Sequence, residues 1–115
     1  MPTENMEAFD PFAENSGFDW EPVDDHDDIH EMVLYRDDDG SHTRFLRMDP
    51  GAEIDRRLEH DHYEELYIIE GGVIDTHLDE TFTAGMYACR KPGMAHGPYR
   101  APVGCLTIEF RYYRD

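Results

Sequence analysis

From Ile29 onward the sequence is a series of short apolar runs separated by turn-forming residues. Asp39-Gly40 is a hairpin signal, and Pro50-Gly51 is a strong turn pair. No stretch of about ten residues repeats its apolar positions with the period of a helix. Closely spaced short strands predict an all-β sandwich or barrel, and this pattern restricts the fold more than any other feature of the chain.

The predicted strands alternate with polar turns along the rest of the chain. Gly71-Gly72 is interpreted as a turn that ends one strand and begins the next. In the last strand, Leu106, Ile108 and Phe110 share one face because side chains alternate with period two. The predicted strands cover residues 32–35, 43–48, 65–70, 73–78, 81–83, 86–90 and 105–113.

The beginning of the chain has a different pattern. Residues 1–18 contain prolines, a glycine and phenylalanines without periodicity, which predicts a short irregular acidic arm. A barrel domain is expected to follow at residues 19–115. In the alternative interpretation, aromatic rings near this end pack against the barrel or against a second subunit. These rings belong to Phe9, Phe12, Phe18 and Trp20.

Acidic residues dominate the charge: 27 are acidic and 10 basic, which gives a formal net charge of −17. Nucleic acids and anionic membranes both require positive charge on the protein, so neither is an expected partner. An acid-rich surface with Lys91 as the single lysine is typical of halophilic proteins. No apolar run approaches about 18 residues and no basic, apolar leader is visible, which predicts a cytoplasmic protein. Cys89 and Cys105 are expected to be reduced thiols.

Two separated segments offer the side chains of a metal site. Residues 60–65 read His-Asp-His-Tyr-Glu-Glu ahead of a strand-like run, and residues 91–96 end in His96. Alternate positions of an extended chain share a face, so His60 and His62 present both rings on one side. Imidazole nitrogens and carboxylate oxygens suit zinc, iron, nickel or manganese. The pattern therefore predicts one metal ion inside a small β-barrel.

The two segments in this order resemble the paired motifs of the cupin superfamily, over roughly residues 29–113. The first motif has a glycine, His-x-His, a glutamate and a strand ending in glycine; the second has a glycine, a strand, Pro-Gly and a histidine. The run 104–110 resembles the final strand of the sensor domain in ChrR-type zinc anti-sigma factors. The resemblance implies a double-stranded β-helix, a jelly-roll-like barrel. The matching positions are Gly51, His60, His62, Glu64 or Glu65, the run 66–69, Glu70, Gly71, Gly85, Pro92, Gly93 and His96.

The resemblance leaves two registers open for the first motif. In the family, the glutamate lies four residues after the second histidine and six before the Glu-Gly pair. Counting back from Glu70 selects Glu64, makes His60 the second histidine and puts Leu58 at the first position. The other register keeps His60 and His62 as the pair and shortens the loop. The implied ligands are His60, Glu64 and His96, with His62 as a fourth and Glu65 as the alternative carboxylate.

For function, the resemblance implies a metal-dependent enzyme, dioxygenase-like or using other Lewis-acid chemistry on a small oxygenated compound. The alternative is a non-catalytic sensor that binds a metal or a small molecule. The metal is expected to be one divalent ion of iron, zinc, manganese or nickel. A homodimer is expected through edge strands and the segment around Phe18 and Trp20. Tyr67, Met86 and Tyr87 are candidates to line the cavity, and Arg90, Tyr99 and Arg100 are candidates to contact an anionic substrate group.

Overall fold

The computed structural model describes residues 5–114, and all regular secondary structure in that range is β-strand. Short alternating runs bury their apolar side by pairing as strands, and the predicted all-β class is confirmed. Within residues 5–114, no helix has the length and apolarity required to cross a lipid bilayer. The strands are β1 (Glu21–Pro22), β2 (Ile29–Arg36), β3 (His42–Met48), β4 (Ala52–Ile54), β5 (Tyr63–Asp75), β6 (Glu80–Thr83), β7 (Tyr87–Arg90), β8 (Tyr99–Ala101) and β9 (Cys105–Tyr112).

The strands form two antiparallel sheets that share β5. The first sheet has the order β1-β2-β3-β9-β5-β7. In the second sheet β5 pairs with β6 and β8, and β8 pairs with β4. Residues of both sheets line a cavity of about 390 Å³. This arrangement is the predicted jelly-roll-like barrel.

The predicted turn at Gly71-Gly72 is wrong, because β5 continues through both glycines and passes from the first sheet into the second. A Cβ atom on Gly71 would lie 2.1 Å from Gly104 O, and one on Gly72 would lie 2.6 Å from Phe82 O. Two other backbones therefore approach the strand where it has no side chains. Gly71 also has a φ of 69°, a conformation that glycine adopts without strain. The pair marks a corner between sheets, and the chain reverses later, at residues 76–79.

The inner face of the first sheet changes from apolar to charged along its strands. β3 and β9 are antiparallel and in register, so their inward side chains form cross-strand rows. Phe110 is 40% exposed, and the face that it shares with Leu106 and Ile108 points away from the cavity. The row at one end of the inner face is apolar, and the row at the other end is ionic. The rows pair Met48 with Cys105, Leu46 with Thr107, and Arg44 with Glu109.

The N-terminal segment lies against β3. Residues 5–20 contain turns and bends without strand or helix, and residues 1–4 of the predicted arm lie outside the described residues. The Phe12 ring is 4.7 Å from the Phe45 ring of β3 and 5.9 Å from the Trp20 ring. The Arg47 guanidinium lies 4.4 Å from the Trp20 ring centroid. The rings of Phe12 and Trp20 thus pack on the chain's own barrel, whereas Phe9 and Phe18 stack on each other. The homodimer through Phe18 and Trp20 stays a prediction.

Candidate metal centre

Backbone pairing brings the two histidine segments together. His60 and His62 lie in the loop before β5, and Glu64 is the second residue of that strand. His96 lies between β7 and β8, where its N–H donates to Leu58 O at 2.9 Å and its carbonyl accepts from Leu58 N–H at 2.7 Å. This isolated bridge holds the second motif beside the first. The histidines of the two separate segments therefore lie close together in the structure.

The four predicted ligands form a dense group. The candidate ligand atoms of His60, His62 and Glu64 all lie within 4.8 Å of one another. The His60 and His62 rings stack with centroids 4.7 Å apart, and the His96 centroid is 5.2 Å from that of His60. Glu64 is 2% exposed and His96 is 7% exposed. Three imidazoles beside a buried carboxylate are a donor set that suits a divalent transition metal.

Each of these four residues presents one buried atom without a hydrogen-bond partner. The atoms are Nε2 of His60, His62 and His96, and Oε2 of Glu64. Burying an unsatisfied polar atom is unfavourable, and such atoms rarely cluster unless a ligand or ion satisfies them. The ligand atoms of His60, His62 and Glu64 are close enough to share one metal ion. The ligand atom of His96 lies outside that group, although its ring centroid is 5.2 Å from that of His60.

The histidines are kept neutral by their surroundings. Burial, and then the charge of Arg111, lowers the pKa of His60 to about 4. Burial, and then the charge of Arg90, lowers the pKa of His96 to about 3. The pKa of His62 is also lowered, again chiefly by burial. Neutral imidazole is the form that binds a metal, so these histidines are in their metal-binding form at neutral pH.

These shifts predict how the stability of the metal-free protein depends on pH. The pKa of histidine in the unfolded chain is about 6.5, whereas folding lowers it to about 4 for His60 and about 3 for His96. Between these values the unfolded chain binds more protons, so stability is lost as the pH falls from about 6.5 towards 3. We expect the urea midpoint of metal-free protein to fall over this window. His96→Gln should make the fall shallower, whereas the exposed control His77→Gln should leave it unchanged; equal slopes in all three proteins would contradict the prediction.

The two adjacent glutamates point to opposite sides of β5. Glu64 faces inward, where Arg90 Nη1 donates to its Oε1 at 3.2 Å and Arg111 Nη2 lies 2.7 Å from its Oε2 as an ion pair outside hydrogen-bond geometry. Burial, and then the charge of Glu109, raises the pKa of Glu64 against the opposing effect of the arginines. Glu65 faces outward, where its carboxylate accepts hydrogen bonds from tyrosine hydroxyls of β7 and β9. The structure thus puts Glu64 beside the histidines, and Glu65 on the opposite face.

An ionic network beneath the histidines was missed by the sequence analysis. Arg44 Nε donates to Glu109 Oε1 at 2.8 Å, and Arg44 Nη1 donates to Glu31 Oε1 at 3.2 Å. Burial alone would raise the pKa of Glu109, but Arg44 and Arg111 outweigh it and hold that pKa at about 2. The signal was present in β9, because the residues between its apolar positions are Thr107, Glu109 and Arg111. Since the apolar face points outward, this polar face lines the cavity.

Tyr99 connects the histidines to that network. The Nδ1 atom of His96 is hydrogen-bonded to Tyr99 Oη at 2.8 Å, and Arg90 Nη2 donates to the same oxygen at 3.0 Å. Burial raises the pKa of Tyr99 to about 12, so the phenol stays protonated. Of the other candidates, Met86 and Tyr87 are among the lining residues, although the Tyr87 hydroxyl bonds to Glu65 outside. Tyr67 and Arg100 are exposed and do not line the cavity.

The family model described as a ChrR cupin-like domain matches residues 11–111 of the sequence. The chain belongs to the ChrR cupin-like family. The cupin resemblance of the two motifs is thereby confirmed. No curated protein matches the sequence at a significant level.

Solved structures of cupins share the same fold. An RmlC-like cupin from Shewanella frigidimarina superposes with a TM-score of 0.68 at 23% identity, covering 96% of this chain and 97% of its own. An acetylacetone dioxygenase from Acinetobacter johnsonii has a TM-score of 0.72 at 16% identity, covering 100% and 83%. The Rhodobacter sphaeroides complex of SigE with the anti-sigma ChrR gives a TM-score of 0.65 at 15% identity, covering 85% and 51%. At these identities the likeness shows the cupin fold and nothing finer.

Proposed function

We propose that this cupin is a metal-dependent enzyme acting on a small oxygenated compound. One divalent ion of iron, zinc, manganese or nickel would be held by His60, His62, Glu64 and His96. The observation that carries the proposal is the cluster of three buried imidazole nitrogens and the buried Glu64 carboxylate, of which His60, Glu64 and His96 line the cavity. A cavity of about 390 Å³ suits a small molecule rather than a macromolecule.

A bound ion would supply Lewis acidity to a chelating carbonyl or enolate oxygen. The chain's own residues prepare this chemistry. Tyr99 orients the His96 ring through Nδ1, which leaves Nε2 directed at the site. Arg90 and Arg111 fix the Glu64 carboxylate. Apolar residues of β3, β5 and β6 line the other end of the cavity, and their low polarity strengthens electrostatic interactions near them.

The first test is metal content. We expect about one divalent ion per chain in protein purified without chelator, because imidazole and carboxylate groups gathered at one place bind such an ion as they release their protons. Elemental analysis by mass spectrometry measures it directly, before and after dialysis against a chelator and reconstitution. Substoichiometric metal under every reconstitution condition would refute the proposal.

A second candidate function is a non-catalytic sensor, favoured by the match to the ChrR cupin-like family. Oxygen-uptake measurements separate the two. The ferrous form would be screened with diketones and hydroxyketones, and nickel, manganese and zinc forms would be run beside it. Consumption of oxygen or of any compound supports the enzyme, whereas tight binding without turnover supports the sensor. The net charge of −17 favours a small-molecule ligand over nucleic acid or anionic membrane in both cases.

A further inference from the structure

The cavity is amphiphilic along its length. On β5, Ile68 lies at the apolar end and Glu64 at the charged end, with Leu66 between them, and all three line the cavity. The inward rows of β3 and β9 are graded in the same direction, from Met48 with Cys105 to Arg44 with Glu109. The register of β5 on β9 aligns these gradients, since Glu64 lies opposite Arg111. One end of the space is therefore hydrocarbon, and the other is ionic and adjoins the histidines.

Arg111 is the least satisfied arginine at the ionic end. Its Nε is buried without a hydrogen bond, 3.4 Å from Glu109 Oε1. Its Nη2 contacts Glu64 Oε2, which is the oxygen that would serve a metal. A metal bound to that oxygen would share it with Arg111, whose buried Nε would still have no hydrogen bond. Arg44 differs, since two carboxylates hold it by hydrogen bonds.

The charges that line the cavity balance one another. Among the described residues, four arginines and four carboxylates line it. A divalent ion would therefore add two positive charges that the lining does not compensate, and such an imbalance is unfavourable away from bulk water. A monoanionic ligand offsets one of these two charges, and a neutral ligand offsets neither. The charged lining residues are Arg44, Arg56, Arg90, Arg111, Asp24, Glu31, Glu64 and Glu109.

We infer that the ligand of this cavity is an amphiphilic organic anion. Its carboxylate or enolate head binds beside Arg111 and the histidines, and its hydrocarbon part extends towards Met48 and Ile68. The inference of a charged head rests on the proposed metal site. The inference of a hydrocarbon tail rests only on the apolar end of the cavity. The inference restricts the proposed small oxygenated compound to an organic anion that carries a hydrocarbon group.

The test compares acids with matched neutral amides on zinc-loaded protein, where redox turnover is absent. Isothermal titration with 2-oxohexanoate and 2-oxohexanamide should show at least about tenfold tighter binding of the acid. In the series pyruvate, 2-oxobutanoate, 2-oxopentanoate and 2-oxohexanoate, affinity should rise by about fourfold per methylene. Equal affinities of acid and amide, or a series without gain, would overturn the inference.

Variants locate the head of the ligand. Arg111→Gln should weaken 2-oxohexanoate at least about tenfold more than it weakens 2-oxohexanamide, and Arg111→Lys should recover part of the loss. The matched control is Arg100→Gln, because Arg100 is exposed and does not line the cavity. It should change neither affinity appreciably. Comparable losses in Arg111→Gln and Arg100→Gln would contradict the placement of the head, and the acid and amide pair on unaltered protein tests the ligand class if Arg111→Gln misfolds.

Metal-free protein separates failure of this inference from failure of the proposed function. If the chain binds no metal, the proposed function fails, but the chain-length series can still be run. A gain per methylene in metal-free protein then supports the apolar tail site. A flat series in both forms overturns the amphiphilic ligand whatever the metal content.

Discussion

His96→Ala is expected to lower metal affinity by at least about 100-fold while the barrel still folds. Changing a residue that only supports a ligand typically costs 10–100-fold in affinity, and removing a ligand should cost at least as much. The fold should persist because His96 is joined to Leu58 through backbone atoms, which alanine retains. The substitution removes the unsatisfied Nε2 but also the Nδ1 hydrogen bond to Tyr99 Oη, so the metal-free protein should lose about 1–3 kcal/mol and still fold.

Zinc titration by calorimetry measures the affinity, and circular dichroism checks the fold. His77→Ala is the matched control, since His77 is exposed, lies outside both motifs and does not line the cavity. It should bind metal like the unaltered protein. Full metal content in folded His96→Ala would show that the second motif has been misread.

Gly71→Ala is expected to destabilise the protein by about 2–5 kcal/mol. The added Cβ would lie 2.1 Å from Gly104 O. Because the Cβ is fixed directly to the backbone and Gly104 O is a backbone atom, neither can rotate away. Overpacking of this kind costs about 1–3 kcal/mol. The left-handed backbone, with a φ of 69°, adds about 1–2 kcal/mol for a residue with a Cβ. Since domains are stable by about 5–15 kcal/mol, this change removes a large share of the stability.

Gly51→Ala separates the free-energy cost of the steric clash from the cost of the left-handed backbone conformation. Gly51 has a φ of 89°, but a Cβ there would meet no atom within 4 Å. Its cost should be limited to the backbone, about 1–2 kcal/mol. Urea unfolding of both variants gives the difference. Equal losses would mean that the corner at Gly71 relaxes, and that β5 is not tightly packed against the β8–β9 turn.

Local signals predicted the strands better than the places where the chain changes direction. The Asp-Gly hairpin between β2 and β3 is confirmed, because that turn is defined by four consecutive residues. Gly71-Gly72 has an equally strong turn signal, yet it lies inside a strand. What decides its conformation is the approach of Gly104 and Phe82, residues far away in sequence. No local pattern contains that information.

The candidate site shows a similar division. The histidines and Glu64 were found because two motifs with fixed spacing name them, and the structure brings them together. Arg44, Arg111 and Glu109 carry no motif, and their role depends on which face of β3 and β9 points inward. The apolar residues of β9 share one face, but their pattern does not show that this face points away from the cavity. The inward orientation of the polar face can be recognised only from the structure, which shows that the face lines a cavity with charged residues.

The sharing of β5 between both sheets has a consequence for the order in which parts of the protein open. β5 is hydrogen-bonded to β6, β7, β8 and β9, so exposing its amides requires both sheets to separate. Amide hydrogen exchange in β5 should therefore need near-global unfolding, whereas the loops that carry His60 and His96 should exchange through local fluctuations. The carboxylate of the centre is anchored in the slowest-exchanging part of the chain, and its imidazoles are carried by faster-exchanging loops. Release of a bound ion should accordingly begin from the histidine side.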